Sequence, residues 1–376
     1  MTRRLRRRAL SLCVATIISG LPVVGVAHAE PARPPIEAWQ RSTSVRLSAD
    51  SSLTDVDALS ADEVWAVGQQ QIWDVWENRG AVGRWNGTAW TEVPIRDVAG
   101  AGPLRAVSAV SASQVWALGD GHDGLPYLGR GDASGLDRVR VPGMRAGDWL
   151  GGLEARTDKV VAVGSRVVRD DRRDDSREGR GLILTGQDGK WTFQETEEAG
   201  ALYAVSGSFA VGDTGKAPLI MRQSDGEWKS MALPSIPGGY LRDVHVDGKR
   251  AMAVGGVYSQ SGVVTPLVLT WNGKRWTRAE LPRSRARLYG VTGDGKGRFW
   301  VSGYDPDHEA EAYLLRYEKR RWEIIRGGPD AARGSVRLQA VTYLPGTGGV
   351  WAVGHIMDAN DRYTDVVEAF ARSSAK

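Results

Sequence analysis

Nine side chains that could bind a ligand lie outside the repeated parts of this 376-residue sequence. They are of four types, Trp, Tyr, His and Asp, which together can stack on a sugar or peptide and exchange hydrogen bonds or protons with it. A pair of carboxyl groups would also suit glycoside hydrolysis, which needs two such groups flanking the bond. The nine candidates are Trp73, Trp76, Asp120, His122, Tyr258, Tyr304, His308, His355 and Tyr363.

No residue set typical of a known catalytic mechanism accompanies these candidates. The sequence has no Gly-x-Ser-x-Gly elbow, no His-Glu-x-x-His pair and no phosphate-binding loop. Its single cysteine, Cys13, lies in an N-terminal leader that is described below. We therefore predict no catalytic residues, no thiol chemistry and no disulfide in the folded chain.

Two acidic clusters could supply oxygen ligands to Ca²⁺. One alternates through Asp305, Asp307, Glu309 and Glu311, and the other lies within residues 358–365. Neither cluster has the spacing of an established calcium loop. We therefore predict no metal site and no cofactor, with Ca²⁺ as the alternative.

The candidates must be positioned by a repeating unit, because one pattern recurs along the whole chain. A leucine followed three residues later by Val or Leu occurs seven times, and each copy is followed by a short apolar run that ends in Gly, such as VWAVG at 64–68 and 350–354. Such repetition indicates one structural unit built several times. The leucines are Leu53, Leu104, Leu150, Leu202, Leu241, Leu288 and Leu338.

Many of the copies continue into a tight hairpin. Asn86-Gly87 and Asn272-Gly273, each placed between two Trp residues, can adopt the positive φ angles of a two-residue turn. The pattern predicts four short antiparallel strands in a unit of roughly 40–50 residues. One such sheet cannot bury both faces alone, whereas seven in a ring can, so the sequence predicts an all-β, seven-bladed β-propeller with four-stranded blades.

The two ends of the repeat array are complementary. The seventh unit stops after three strands, while the segment 36–48 precedes the first unit and carries Trp39, which resembles the Trp residues that open the fourth strands. We predict that residues 36–48 form the outer strand of blade seven and close the ring. Residues 30–376 would then form one propeller domain, with recurring Trp residues such as Trp65 and Trp300 in the core between blades.

The tandem L-x-x-V, VWAVG and W-N-G-x-x-W units resemble those of secreted bacterial β-propellers of the kelch and galactose-oxidase-like type. The resemblance covers nearly all of the chain after the leader and implies the propeller fold. Galactose oxidase itself uses a Cys cross-linked to a Tyr beside a copper ion, and the chain after residue 29 has no Cys. The resemblance therefore indicates a fold and not an activity, since propellers host many functions.

A propeller places its loops on two faces. The turns between strands one and two and between strands three and four share one face, and the loops between strands two and three share the other with the crossovers between blades. The 2–3 loops vary in length and contain all nine candidates, whereas the 3–4 turns are short and uniform. Because variable loops on a rigid scaffold usually carry function, we predict a ligand site on the 2–3 face.

The first 29 residues have the pattern of a cleavable secretory signal peptide. Five arginines precede an apolar run from Ala9 to about Val26, and Ala27-His28-Ala29 offers a cleavage site. The pattern favours the general secretion route over the twin-arginine route, and a cleaved leader over a membrane anchor. Removal of the leader changes the formal net charge from +4 to about −1, so the composition gives no support for a nucleic-acid partner.

Together these features predict a secreted, monomeric, non-catalytic binding protein whose partner is an extracellular glycan, a cell-wall polymer or a protein. The alternative is an extracellular carbohydrate-active hydrolase or lyase on the same scaffold. Two partly buried carboxyl groups about 5–10 Å apart, beside an aromatic wall at the ring opening, would favour the enzyme. Scattered, solvated carboxyl groups would favour the binding protein.

Overall fold

The computed structural model describes residues 37–39, 43–74, 78–97, 100–167, 179–282, 284–327 and 333–372. The regular secondary structure of these residues consists of 29 β-strands. The N-terminal leader and one candidate, Trp76, lie outside the described residues. In the described part of the chain, no helix is long and apolar enough to cross a membrane.

The strands form seven sheets, one for each sequence repeat. A short strand, β1, spans Glu37–Trp39 and precedes the first blade. The strands of the first three blades are β2 (Ser52–Ser60), β3 (Glu63–Gln70), β4 (Arg79–Trp85) and β5 (Trp90–Glu92) in blade one; β6 (Ile95–Arg96), β7 (Ala101–Ser111), β8 (Gln114–Gly121), β9 (Pro126–Asp132) and β10 (Gly135–Arg138) in blade two; and β11 (Asp148–Ala155), β12 (Lys159–Val167), β13 (Gly179–Gln187) and β14 (Lys190–Ala199) in blade three.

The remaining four blades repeat the same order. Their strands are β15 (Ala201–Ser206), β16 (Phe209–Asp213), β17 (Pro218–Ser224) and β18 (Glu227–Ser230) in blade four; β19 (Gly239–Asp247), β20 (Arg250–Tyr258), β21 (Val264–Trp271) and β22 (Trp276–Arg278) in blade five; β23 (Arg287–Gly293), β24 (Phe299–Tyr304), β25 (Tyr313–Glu318) and β26 (Arg321–Arg326) in blade six; and β27 (Ser335–Tyr343), β28 (Val350–Met357) and β29 (Tyr363–Arg372) in blade seven.

The predicted all-β propeller of seven antiparallel blades is confirmed, with one addition. Blade two has five strands, because β6 in the crossover from blade one pairs in parallel with the outer strand β10. The extra pairing is only two residues long, with Ile95 opposite Leu136 and Arg96 opposite Asp137. It covers an edge that the other blades leave open, which protects that edge from pairing with another chain.

The hydrophobic core is divided into seven clusters, each shared by two neighbouring blades. In one of them Trp65 of blade one packs with Leu104 and Tyr127 of blade two. In another, Val353 of blade seven packs with Leu53 of blade one. Because each of these clusters spans a blade boundary, a blade is stabilised mainly by its neighbours rather than by itself.

The ring is closed by the N-terminal segment, as the sequence predicts. Strand β1 pairs antiparallel with β29, and Trp39 packs its ring edge-on against Phe370 at 5.8 Å. Thr43 and Val367 then exchange two backbone hydrogen bonds of 2.8 and 2.9 Å. The strand is shorter than the predicted segment 36–48, because the chain beyond Thr43 leaves the sheet edge and crosses blade seven toward the start of β2.

A buried carboxylate holds this crossing segment in place. The side chain of Asp365, in β29, is only 2% exposed. It accepts hydrogen bonds from the backbone N–H of Val45 (2.7 Å) and Leu47 (3.3 Å), and from the hydroxyls of Ser44 (2.9 Å) and Ser51 (3.2 Å). We call this group the closure latch, since it joins the first residues of the propeller to the last strand.

A β-bulge interrupts the first strand of every blade directly after the repeated leucine. Beside it, a Cβ atom on the glycine that ends the apolar run would lie 1.8 to 2.3 Å from a backbone carbonyl oxygen of the first strand. Only glycine fits such a close approach, which explains its presence in every repeat. The seven glycines are Gly68, Gly119, Gly164, Gly212, Gly255, Gly303 and Gly354.

Candidate ligand-binding site

The seven bulges place one residue of each blade at the same height in the wall of the central channel. All seven of these residues line a cavity of about 610 Å³. Their side chains differ although the leucine that precedes them is constant, so the scaffold repeats while the lining varies. The bulge residues are Thr54, Arg105, Gly151, Tyr203, Arg242, Tyr289 and Gln339.

The cavity, which we call the channel pocket, opens on the face that carries the 2–3 loops. Trp149 and Tyr240, near the starts of their first strands, contribute to its wall. Asp213 and Tyr258 contribute from the last residues of second strands. Because first strands start and second strands end on the 2–3 face, the pocket lies on the face that the sequence predicts, although most of its lining comes from strands rather than loops.

One side of the channel pocket is aromatic. Trp149 and Tyr203 meet edge-on with ring centres 5.8 Å apart, and Tyr240 packs against Tyr258 at 5.0 Å. The Tyr258 side chain is 58% exposed, so a large part of its ring is open to a ligand. Burial, together with the adjacent Asp213 carboxylate, raises the pKa of Tyr203 above its usual value, which keeps its hydroxyl protonated and able to donate.

Two arginines of the channel pocket have different surroundings. Arg105 lies 5.1 Å over the Trp149 ring and forms a two-pronged ion pair with Asp120. Arg242 lies 4.8 Å over the Tyr289 ring and is exposed, and no carboxylate among the described residues pairs with it. A guanidinium stacked on an aromatic ring is held in one orientation. Arg242 is therefore positioned to accept an anionic group from a ligand.

Two carboxyl groups, Asp55 and Asp243, also lie in the pocket wall. In each carboxyl group, one oxygen accepts a backbone N–H of its own blade and the other accepts a backbone N–H of the next blade. The bonds to the next blade come from Val107 to Asp55 (2.8 Å) and from Val291 to Asp243 (2.7 Å). Burial raises the pKa of Asp243 to about 6, and that of Asp55 well above its usual value. Their geometry indicates a role in joining blades.

The structure assigns different surroundings to the candidates predicted from the sequence. Tyr258 lines the channel pocket, and Asp120 orients Arg105 within it. His122 is exposed near Gly100, outside the pocket lining. His308 is half-exposed, and its Nδ1 lies 3.5 Å from the Asp305 carboxylate.

Tyr304 is almost completely buried, because the Arg337 guanidinium covers its ring at 4.8 Å. His355 is also buried, with its Nδ1 2.8 Å from the hydroxyl of Ser52 in blade one. Neither ring has an exposed surface large enough for a ligand to contact. Both side chains were predicted to contact a ligand, and burial instead makes them part of the packing beneath the rim.

A second aromatic group lies where blade seven meets blade one. Trp73 is 62% exposed and touches the edge of Tyr363 at 5.5 Å, and Tyr363 in turn packs on His355 at 4.6 Å. These three predicted residues are thus in contact with one another, but none of them lines the channel pocket. Trp73 and Tyr363 form a separate patch that remains a predicted contact surface, and the buried His355 packs against Tyr363.

The burial of His355 makes stability depend on pH. Burial, assisted by the positive charge of Arg337, lowers the pKa of His355 to about 4, whereas an unfolded histidine titrates near 6.5. As the pH falls below about 6.5, His355 is therefore protonated in the unfolded chain but stays neutral in the folded chain. The contribution of His355 to stability is full above this pH and is lost progressively toward pH 4.

We expect His355→Gln to remove this pH dependence. Between pH 7 and pH 5 the wild-type protein should lose about 2 kcal/mol of unfolding free energy relative to the variant. Urea denaturation at both pH values measures the difference, and the subtraction cancels groups such as Asp243, whose raised pKa acts in the opposite direction. Parallel pH profiles for the two proteins would contradict the assignment.

The acidic clusters considered for calcium are used within the protein. Asp305 pairs with Arg326, and Asp358 accepts the backbone N–H groups of Asn360 and Arg362 in its own turn. Asp365 belongs to the closure latch. Within the described ranges, no three His, Cys, Asp or Glu side chains converge as a set of metal ligands.

The main lining of the channel pocket was missed by reasoning from the sequence. That reasoning looked for function in the loops and assigned no role to the aromatic residues of the first strands. The position directly after the repeated leucine was the available indication, because it is occupied by Thr, Arg, Gly, Tyr, Arg, Tyr and Gln in a frame that is otherwise constant. When one position varies while its neighbours stay constant, its residue type is not determined by packing, which indicates a side chain on an accessible surface.

The fold is shared with solved structures that cover nearly all of this chain. One is described as YCF48 bound to D1 peptide, with a TM-score of 0.56, 12% identity, and coverage of 91% of this chain and 99% of that one. The WD40 domain of Neurospora crassa Pan2 has a TM-score of 0.54 and 14% identity, over 88% and 90%. The β-propeller domain of the Trilobed protease from Pyrococcus furiosus, described as having an open velcro topology, has a TM-score of 0.50 and 9% identity, over 90% and 94%.

No family model matches the sequence, and the search of curated proteins found no match. At 9 to 14% identity, the likeness to solved structures shows the propeller fold alone. Because propellers host many functions, the function has to be inferred from the residues of this chain.

Proposed function

We propose that this protein is an exported, non-catalytic binding protein that captures a segment of another protein in the channel pocket. The observation that carries the proposal is the exposed Arg242, which is stacked on Tyr289 and has no carboxylate partner among the described residues. A preorganised guanidinium beside an aromatic wall suits a peptide that presents a carboxylate next to an apolar or aromatic side chain.

Several features support a peptide rather than a small metabolite. The pocket of about 610 Å³ is open to the 2–3 face, so a chain can enter with one or two side chains while its remainder crosses the rim. YCF48, which has the same fold, is described in complex with a peptide. A glycan or cell-wall polymer remains the second class of ligand, because exposed aromatic rings such as Tyr258 also stack on sugars.

Export and the kelch or galactose-oxidase-like subtype of propeller are also part of this proposal. The arginine-rich start, the apolar run and Ala27-His28-Ala29 support export, and the repeat pattern supports the subtype. A chain without cysteines beyond residue 29 needs no oxidative step after export, and its stability comes from the seven shared clusters.

The alternative, a carbohydrate-active hydrolase or lyase, is favoured by one observation. Asp55 and Asp243 are carboxyl groups with raised pKa values beside an aromatic wall at the ring opening. Hydrolysis needs carboxyl oxygens that face the substrate and transfer protons. Here both oxygens of each carboxyl accept backbone hydrogen bonds from the blades, which favours binding over catalysis.

The experiment that tests the proposal is an array of synthetic peptides and glycans probed with the purified protein and with two variants, Arg242→Ala and Tyr258→Ala. Both side chains are exposed, so the variants should fold normally. Since a hydrogen bond to a charged group contributes about 1.5–3 kcal/mol, we expect Arg242→Ala to weaken binding of carboxylate-bearing peptides at least tenfold.

The matched control is Arg285→Ala, which removes an exposed arginine that is paired with Asp307 and lies outside the pocket lining. It should bind as the wild type does. Trp73→Ala tests the separate patch at blades one and seven. Binding that is insensitive to Arg242→Ala but lost in Trp73→Ala would move the site to that patch, and binding of glycans alone would refute the peptide proposal.

A further inference from the structure

The face opposite the channel pocket carries concentrated positive charge over blades five and six. Four turns form this region, 247–250 and 272–275 in blade five and 294–298 and 318–321 in blade six. They contain nine basic residues and three acidic ones. The basic residues are Lys249, Arg250, Lys274, Arg275, Lys296, Arg298, Lys319, Arg320 and Arg321.

The charge is specific to this sector of the ring. The equivalent turns of blades one, two and four contain no lysine or arginine, and those of blade three contain Arg156, Lys159 and Lys190. The near-neutral net charge of the chain after the leader therefore conceals a strongly basic region balanced by acidic residues elsewhere. Local concentration of charge, rather than net charge, determines whether a surface attracts an anionic partner.

The three acidic residues of these turns stabilise the turns themselves. Asp247 is buried and accepts the backbone N–H of Gly297 at 2.8 Å, and Asp294 accepts the backbone N–H groups of Lys296 and Arg298. Glu318 forms an ion pair with Arg298 at 2.8 Å. Among the nine basic side chains, only Arg298 has a carboxylate partner in the part of the chain that the structure describes.

Five of the nine basic residues line a cleft of about 730 Å³ between the two blades, together with Asp294 and Glu318; we call it the basic cleft. Arg250 lies on the blade-five wall, and Lys296, Lys319 and Arg320 lie on the blade-six wall. The cleft thus presents positive charge from two opposed sides above an aromatic base. The aromatic residues of that base are Trp271, Phe299 and Tyr317.

We propose that the basic cleft binds a linear polymer of phosphate groups, recognised through its phosphates. Nine cations within four turns are matched only by a partner with closely spaced negative charges, and a phosphate chain has this property. Lysine and arginine are both effective phosphate ligands. A chain lying in the cleft would contact cations on both walls, whereas a flat anionic membrane would meet only the tips of the turns.

This site is independent of the channel pocket, because it lies on the opposite face and shares none of its lining residues. A protein partner and a phosphate polymer could therefore be bound together. The two proposals can be tested separately, because a substitution in one site leaves the other site unchanged.

The test compares two double variants of the full chain in a titration with long-chain inorganic polyphosphate. The first is Lys319→Asn with Arg320→Gly, at two residues with positive φ angles of 50° and 64°. It removes two cations and installs Asn-Gly where blades three and four have Asp188-Gly189 and Asp225-Gly226, each with positive φ at both residues, so the fold should be kept or improved. The second, Arg156→Ser with Lys190→Ser, removes two cations from the equivalent face at blade three.

We expect the blade-six variant to bind polyphosphate about tenfold more weakly at moderate salt, with a salt dependence shallower by about 0.7 per lost phosphate contact. The blade-three variant should bind within about twofold of the wild type. The arginines of the leader are present in all three proteins, so the difference between them reports on the cleft.

Two outcomes would overturn the proposal. One is equal loss of affinity in both double variants, which would indicate attraction by overall charge. The other is binding to vesicles of anionic lipid that the blade-six variant abolishes, with no binding of polyphosphate. Single-stranded DNA serves as a further arm, and it should bind more weakly than polyphosphate because its phosphates are more widely spaced along the chain.

Discussion

Replacing Asp365 with alanine should destabilise the whole ring, lowering the unfolding free energy by about 4 kcal/mol. The carboxylate is buried and is the shared acceptor for two backbone N–H groups and two hydroxyls of the N-terminal segment. Alanine leaves the N–H groups of Val45 and Leu47 without their acceptor, and a buried, unpaired donor costs about 1–3 kcal/mol. Urea denaturation and the melting temperature measure the loss.

The control for this prediction is Asp358→Ala, which removes the same charge from the loop before β29. Asp358 is only partly buried and, among the described residues, accepts hydrogen bonds within its own turn, so its loss should cost about 1 kcal/mol or less. Asp365→Asn should lie between the two, because the amide retains one acceptor oxygen. Equal stability of the Asp365→Ala and Asp358→Ala variants would show that the latch contributes nothing to ring closure.

A second large effect is expected for Gly164→Ala in blade three. A Cβ atom at this position would lie 1.8 Å from the backbone oxygen of Trp149 and 2.7 Å from the Cα of Leu150. Backbone atoms cannot rotate away as a side chain can, so the strands must separate at the bulge. We expect a loss of about 3 kcal/mol or more, in the upper range for overpacking.

The same blade offers a matched control at Gly179, where a Cβ atom would meet its nearest neighbour at 3.8 Å, an ordinary contact distance. Gly179→Ala should be neutral or slightly stabilising, because alanine restricts the unfolded chain. Thermal unfolding of both variants gives the comparison. A Gly164→Ala protein as stable as the Gly179→Ala protein would mean that the bulge does not require glycine.

The propeller could be predicted because its determinants are local and repeated. The leucine and the terminal glycine of the apolar run recur at near-constant spacing, and an Asn-Gly or Asp-Gly turn follows them in four blades. The missing strand of the seventh repeat has a counterpart at the N-terminus. The extra strand of blade two could not be predicted, since β6 is two residues long and pairs only because the crossover passes along β10.

The candidate site was predicted in position but not in composition. Tyr258 and Asp120 belong to it or support it, whereas Arg242, Tyr203 and Trp149 were missed. The direction of a side chain in a strand normally follows strict alternation, and a bulge changes that alternation by one residue. Because the bulge could not be read from the sequence, the residue after the leucine could not be assigned to the channel. The burial of His355 could not be predicted either, since it depends on blade one, which is distant in sequence.

The distance along the chain between Ser44 and Asp365, 321 positions, bears on the timing of folding. A polypeptide is synthesised from its N-terminus, so the segment that seals the circle waits for its partner until blade seven has been made. Until then the growing chain is an open arc whose first and last surfaces are bare. The proposed export would make use of this delay, because a ring that is not yet sealed can still be threaded through a narrow translocation pore.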